Sequence, residues 1–291
     1  PVVDALPIAY LGNGPGQSIF QFRPPRALAQ GNDVLRMGYR GTDSSVTLQC
    51  DEVASVIRTV PALTENHLDE VRRAASDCVE RLADSGHRLL DFGVDAVADD
   101  LAATLDVFDY ERVHLLADGF GIQTALAFAE RYPERIGRLV VTSPAPLGPF
   151  LLSARELDAH LEALAGRCAQ SSHCSQATDD LIAALRTPRD QLPRRWAFTS
   201  IDSGRISLVT AMSLLGQEST ARAVDAWTAA SRGSNAGLAM MSWLGDSVGQ
   251  NMFIWGDALA KAMPLGFDPE KDYRASEKRG PSVLGSPARL L

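Results

Sequence analysis

The sequence is poor in positive charge and has no long apolar run. Its 28 lysines and arginines are outnumbered by 36 aspartates and glutamates, for a formal net charge of −8. No basic cluster is dense enough to hold a phosphate backbone, so nucleic acid is not expected as a partner. No apolar stretch reaches the roughly 18–20 residues that cross a bilayer, so no membrane span is expected. No signal peptide is legible. The chain opens Pro1-Val2-Val3 without a Met, which reads as a processed or excised piece. Cysteine is scarce: Cys50, Cys78, Cys168 and Cys174. None forms a CxxC pair, so a zinc site is not expected, and no metal or other cofactor is implied. An even count permits two disulfides, and buried free thiols fit the composition equally well.

What is present is ordinary globular chemistry. The chain has 291 residues, 45% of them apolar and 22% charged. That is enough for one large domain or two small ones with a substantial core. The run PIAYL (7–11) reads as a strand ending in the tight loop GNGPGQS (12–18), and VLRMGY (34–39) reads as a second strand. A helix follows over 64–84, with Thr64 as N-cap and Gly86 just past its end. Its apolar face is Leu68, Val71, Ala75, Cys78, Val79 and Leu82. A second amphipathic helix carries Val94, Val97, Ala98, Leu101, Leu105 and Phe108. A strand at 113–117, a helix at 121–132 and a strand at 138–142 complete the pattern. Strands alternating with helices imply an α/β fold with a parallel sheet covered on both faces. The proline-rich SPAPLGPF (143–150) marks a boundary, beyond which the chain reads as helical, with three of the four tryptophans after residue 200.

The stretch HLLADGFGIQTALAFAERYP (114–133) reads as strand, sharp turn and helix. A nucleophile elbow needs small residues two positions either side of its apex, so that strand and helix can approach. Ala117 and Gly121 meet that need, but the apex is Gly119 where G-x-S-x-G would place serine. Read instead as a dinucleotide fingerprint, GFGIQTA has Thr124 at the sixth position and no acid closing the next strand. Asp118 would be the nucleophile only if the elbow shifted by one residue.

With these stretches the chain resembles the α/β-hydrolase fold, and within it the proline iminopeptidase and tripeptidyl aminopeptidase group. GNGPGQS is similar to that group's [HN]-G-G-P-G loop. YRGTDSS (39–45) is similar to its D-x-R-G-x-G-x-S segment at Arg40, Gly41 and Ser45. The helices and strands entering and leaving the elbow match as well. RCAQSSHC (167–174) looks like the paired cysteines of the secreted members' cap, and SVLGSPARLL (282–291) like the chain's return towards the core. The resemblance departs at Gly12, at Gly38 where aspartate is usual, at Asp43 where glycine is usual, and above all at Gly119.

The resemblance implies an α/β-hydrolase core at 1–148, an inserted helical cap at 149–280 and a return segment at 281–291, truncated at the C-terminal end. It implies acyl transfer from a peptide or ester to water, with Gly14 and Phe120 N–H groups as oxyanion donors and Gly119 as a vacant nucleophile position. The catalytic Asp and His of this fold follow the cap, and none of His67, His87, His114, His160 and His173 is placed as base. Asp118, Glu218, Asp246, Asp257, Trp243 and Trp255 are candidates for contacts with a small peptide or ester ligand. The expected protein is a disabled hydrolase. The alternatives are a ligand-binding or assembly protein without turnover, or a non-hydrolytic catalyst using the oxyanion pocket. A separate C-terminal polypeptide would complete the fold. Disulfides Cys50–Cys78 and Cys168–Cys174 would fit secretion, with a cytoplasmic location left open.

Overall fold

A computed structural model describes residues 5–12, 14–21, 26–59, 65–143, 154–251, 253–262, 265 and 282–284. Its elements in chain order are β1 (Ile8–Leu11), α1 (Arg26–Ala29), β2 (Val34–Leu35), α2 (Asp51–Thr59), α3 (Glu65–Asp84), α4 (Val94–Val107), β3 (Val113–Asp118), α5 (Gly121–Arg131) and β4 (Ile136–Thr142). Then come α6 (Ala154–Gln170), α7 (Ser172–Ala177), α8 (Leu181–Asp190), β5 (Arg195–Trp196), β6 (Thr199–Ser200), α9 (Ser203–Ser213), α10 (Gln217–Ser231), α11 (Ala236–Asn251) and α12 (Trp255–Ala262). They fall into two compact units, one drawn from 1–53, 75–150 and 252–267, the other from 54–74, 151–251 and 268–291.

The first unit is built on a parallel sheet of order β2-β1-β3-β4. Along β3 every second residue is buried, as a strand requires when one face takes the tighter packing. Ala9, Leu11, Val113, Leu115 and Ala117 pack with Ala98, Leu101 and Leu105 of α4 and with Ala125 and Phe128 of α5. Tyr10 clusters instead with Ile19, Tyr39 and Val97. The fold is therefore α/β with a parallel central sheet flanked by helices.

Several local expectations change. Only Val34 and Leu35 of the second expected strand join the ladder. On α3 the buried apolar residues are Leu68, Val71, Ala74, Cys78 and Leu82, with His67 buried beside them, while Val79 is outward-facing. Phe108 lies past the last turn of α4 and is exposed, because the backbone has already left the helix. Gly86 does close α3, at φ +85°, with His87 N–H donating to Leu82 C=O at 2.8 Å. Thr64, residues 144–150 and residues 285–291 lie outside the described residues.

Among the described residues the second unit is helical apart from the hairpin β5–β6. Its core gathers Leu157, Leu161, Leu185, Ile206, Trp227 and Leu238. The Trp227 indole N–H donates to Thr210 Oγ1 at 3.0 Å, so the buried ring keeps its polar atom satisfied. Val283 and Leu284 join this core, held by Arg189 on the carbonyls of Ser282 and Val283 and by Asp158 accepting from Val283 N–H. Both cysteine pairs form disulfides, Cys50–Cys78 and Cys168–Cys174. Among the described residues no helix is long and apolar enough to cross a membrane.

Candidate active site

The C-terminal ends of β1 and β3 carry the turn and the glycine-rich loop. β3 runs into Gly119 at φ +55°, and α5 begins two residues later at Gly121. The left-handed apex carries no steric penalty because it is glycine. Gly119 N–H donates to Thr142 C=O at 3.1 Å, tying the apex to the end of β4. Gly121 is required by a close approach: a Cβ there would lie 2.0 Å from the Leu11 carbonyl oxygen. Ala117, two residues before the apex, is fully buried. Around Gly119 itself the situation is the opposite. A Cβ at that position would have nothing within 4 Å. The turn thus has tight backbone packing on its flanks and open space where a side chain would project.

The 12–18 loop lies beside this turn. A methyl on Gly14, which has φ +87°, would sit 3.6 Å from the Phe120 ring. Phe120 occupies the N-cap position of α5, where backbone N–H groups lack intrahelical acceptors. The loop is anchored at two points. The Tyr39 hydroxyl accepts from Gly12 N–H and donates to Gly12 C=O, each at 3.0 Å. Gly16 N–H donates to Asp257 Oδ2 at 2.9 Å, while Gly16 C=O accepts from Ile254 N–H at 2.8 Å.

Asp257 is one of the candidates for contact with a peptide or ester ligand. It is instead 0% exposed, and it belongs to the same unit as the sheet. Lys261, one turn along α12, pairs with Asp257 and donates to Arg40 C=O at 2.9 Å. Burial pushes the Lys261 ammonium below the ordinary lysine range, against the pull of Asp257. Trp255 stacks obliquely on Phe253, with ring centroids 5.5 Å apart.

Asp118 ends β3 and accepts from Thr142 Oγ1 at 2.8 Å. It also hydrogen-bonds the Tyr10 hydroxyl. Burial, followed by the Asp118 charge and that bond, pushes the Tyr10 phenol up to about 12. The Tyr39 phenol is raised too, chiefly by burial. Sequence reading missed Tyr10, Tyr39, Lys261 and Thr142. Tyrosines near strand ends are commonplace, and none of the four is a defining position of a motif; Tyr39 fills an unspecified position of the 39–45 segment.

The remaining candidates lie in the second unit. Glu218 is exposed and pairs with Arg222 one turn on. Asp246 pairs with Arg205 at 3.2 Å. Trp243 is 54% exposed on α11, so Trp227 rather than Trp243 is the tryptophan of that core. Cys50, Glu52 and Cys78 bring three ligand-type atoms within 4.8 Å, but both sulfurs are committed to a disulfide.

Short stretches of the chain are similar to curated hydrolases. One stretch of 54 residues is 39% identical to a 2-hydroxy-6-oxononadienedioate/2-hydroxy-6-oxononatrienedioate hydrolase of Comamonas testosteroni, covering 19% of each chain. A stretch of 44 residues is 43% identical to a 2-hydroxy-6-oxo-6-phenylhexa-2,4-dienoate hydrolase of the same species, covering 15% of each. A 51-residue stretch is 43% identical to a 2-hydroxy-6-oxononadienedioate/2-hydroxy-6-oxononatrienedioate hydrolase of Cupriavidus pinatubonensis, covering 18% of each. A parallel central sheet flanked by helices is consistent with the α/β-hydrolase fold. The matched stretches span less than a fifth of these relatives, and they support hydrolase-family membership. No family model matches the chain. In α/β-hydrolases a strand–turn–helix of this kind presents the nucleophile.

Proposed function

We propose that this chain is an α/β-hydrolase-type protein whose nucleophile position is vacant at Gly119. The observation that carries the reading is the contrast between Gly121 and Gly119. A side chain is sterically forbidden at the first and has open room at the second, in a turn of left-handed geometry.

The reaction of such a site is acyl transfer from a peptide or ester to water through a seryl intermediate. Gly14 and Phe120 N–H groups would hold the oxyanion, and Asp118 and Trp255, of the same unit, would contact the ligand. Asp257 serves that site by holding Gly16 and, through it, the loop. The aminopeptidase-like reading rests on the glycine loop and the Arg40–Gly41 segment. The similarity to 2-hydroxy-6-oxo acid hydrolases adds a second substrate class. Loss of a triad serine costs on the order of 10⁶ in turnover, so the chain as written hydrolyses next to nothing.

The second reading is a binding protein without turnover, favoured by the open space above Gly119. The outer edge of the sheet bears on completion of the fold. Leu139, Val140 and Val141 of β4 are all exposed, although successive residues point to opposite faces. The free edge of this strand is where further strands, from this or a separate polypeptide, would pair, and its exposed faces are where helices would pack. We read the sheet-bearing unit, which includes α12, as the hydrolase core, and the helical unit, into which Val283 and Leu284 pack, as the cap. Two disulfides support an oxidising, extracytoplasmic setting.

The test is Gly119→Ser in the full-length polypeptide. It is assayed with aminoacyl-anilide, ester and 2-hydroxy-6-oxo-dienoate reporters and with a fluorophosphonate label. Labelling at residue 119 and turnover of one reporter, both absent from the glycine form, support the disabled hydrolase. A serine form that binds the reporters and stays inert favours the binding protein. Turnover by the glycine form itself overturns both.

A further inference from the structure

The second unit carries a feature that the proposed site does not use. β5 and β6 form a tight antiparallel hairpin, with Trp196 opposite Thr199 and Arg195 opposite Ser200. Ile201 N–H donates to Arg194 C=O at 3.0 Å, extending the base. That base is fixed to α11, where Ser242 Oγ accepts from Asp202 N–H at 2.9 Å and donates to Ser200 C=O. The tip is Ala197-Phe198. Ala197 has φ +50°, a backbone region that a side chain makes costly and that glycine or asparagine usually fills. Phe198 is 95% exposed and Trp196 44%. A rigid hairpin therefore presents two aromatic rings to solvent at the end of a turn whose backbone geometry itself costs energy.

The stretch of sequence that carries these rings differs in charge from the chain as a whole. Between residues 186 and 198 there are four arginines and one aspartate, in a protein of net charge −8. Several arginines elsewhere are paired with carboxylates, as in Arg40–Asp100, Arg131–Asp99 and Arg135–Asp106. Among the described residues Arg194 and Arg195 are exposed and have no carboxylate partner, and Arg195 donates only to Phe198 C=O at 3.4 Å.

We propose that the Arg194–Phe198 tip is a peripheral anchor for a bilayer surface bearing anionic headgroups. Aromatic rings settle at the interface between headgroups and acyl chains, and adjacent arginines pair with anionic lipids. The acidic remainder of the protein is repelled by the same surface, so the tip alone engages it and sets the orientation. A nucleic acid would need a basic track along several phosphates, and the tip offers two cations.

The experiment is co-sedimentation of the full chain with vesicles of phosphatidylglycerol and phosphatidylcholine, or of phosphatidylcholine alone. Binding is expected to the anionic vesicles and to weaken at high salt. Arg194→Glu with Arg195→Glu lowers it by roughly 30-fold or more, from two lost attractions at the surface. Trp196→Ser with Phe198→Ser abolishes it while leaving the circular dichroism spectrum unchanged, since both rings are outward-facing. The proposal is overturned by absence of binding, or by binding that survives both double variants. It is also overturned by equal binding to the two vesicle types, by tighter binding to a single-stranded oligonucleotide, or by a dimer that the Phe198 variant dissociates.

Discussion

Gly38 and Asp43 share one space: a Cβ built on Gly38 would lie 2.9 Å from the Asp43 Cβ. Asp43 uses the room to accept from Ile19 N–H at 3.2 Å and from Tyr39 N–H at 3.1 Å. The segment it resembles has aspartate at the first position and glycine at the second, so the carboxylate here comes from the other side of one contact. Gly38→Asp alone should therefore destabilise by about 1–3 kcal/mol through overpacking. Gly38→Asp with Asp43→Gly should recover at least half of the loss. Denaturant midpoints of the two singles and the double measure the coupling.

The two elbow glycines should separate cleanly. Gly121→Ala pushes a methyl into the Leu11 carbonyl and should cost more than about 3 kcal/mol, or prevent folding. Gly119→Ala meets no atom and should cost only about 1–2 kcal/mol, for its positive φ. Thermal unfolding distinguishes the two outcomes.

Asp257 and Lys261 should behave as a coupled pair. Lys261→Met leaves a buried carboxylate without its cation and should cost about 3–5 kcal/mol. Adding Asp257→Asn removes the stranded charge and keeps an acceptor for Gly16 N–H, so the double variant should be more stable than Lys261→Met alone. Urea titrations at neutral pH provide the check.

Alkaline stability should reflect the two phenols. Both folded-state pKa values lie above the unfolded value near 10, with Tyr10 at about 12. Their contribution is therefore fully present below pH 10 and declines as pH rises through 12. The slope is at most about 1.4 kcal/mol per pH unit for each phenol. Tyr10→Phe and Tyr39→Phe should each flatten this decline in guanidinium unfolding between pH 10 and 12.

The disulfides should differ in worth. Cys50–Cys78 spans a sequence separation of 28 and Cys168–Cys174 one of 6. Loop-closure entropy assigns about 3.6 kcal/mol to the first and about 2.4 kcal/mol to the second. Paired serine substitutions should lower the melting temperature more at the first site.

The strand–turn–helix around Gly119 was legible along the chain, because period-2 and period-3.6 patterns and small flanking residues are local chemistry. The parallel sheet followed from the alternation of strands and helices, and the close of α3 at Gly86 from short-range backbone chemistry. What surrounds the turn was not legible. Asp257 read as a ligand contact because nothing within α12 reveals that Gly16, 241 residues away, will donate to it. Tyr39 reaches Gly12 across 27 residues, and Tyr10 meets Asp118 only because β1 and β3 lie side by side in register. Burial and partnership of polar groups depend on which distant segments the packed sheet brings together. A pattern along the chain carries the period of each element but not the distances between them.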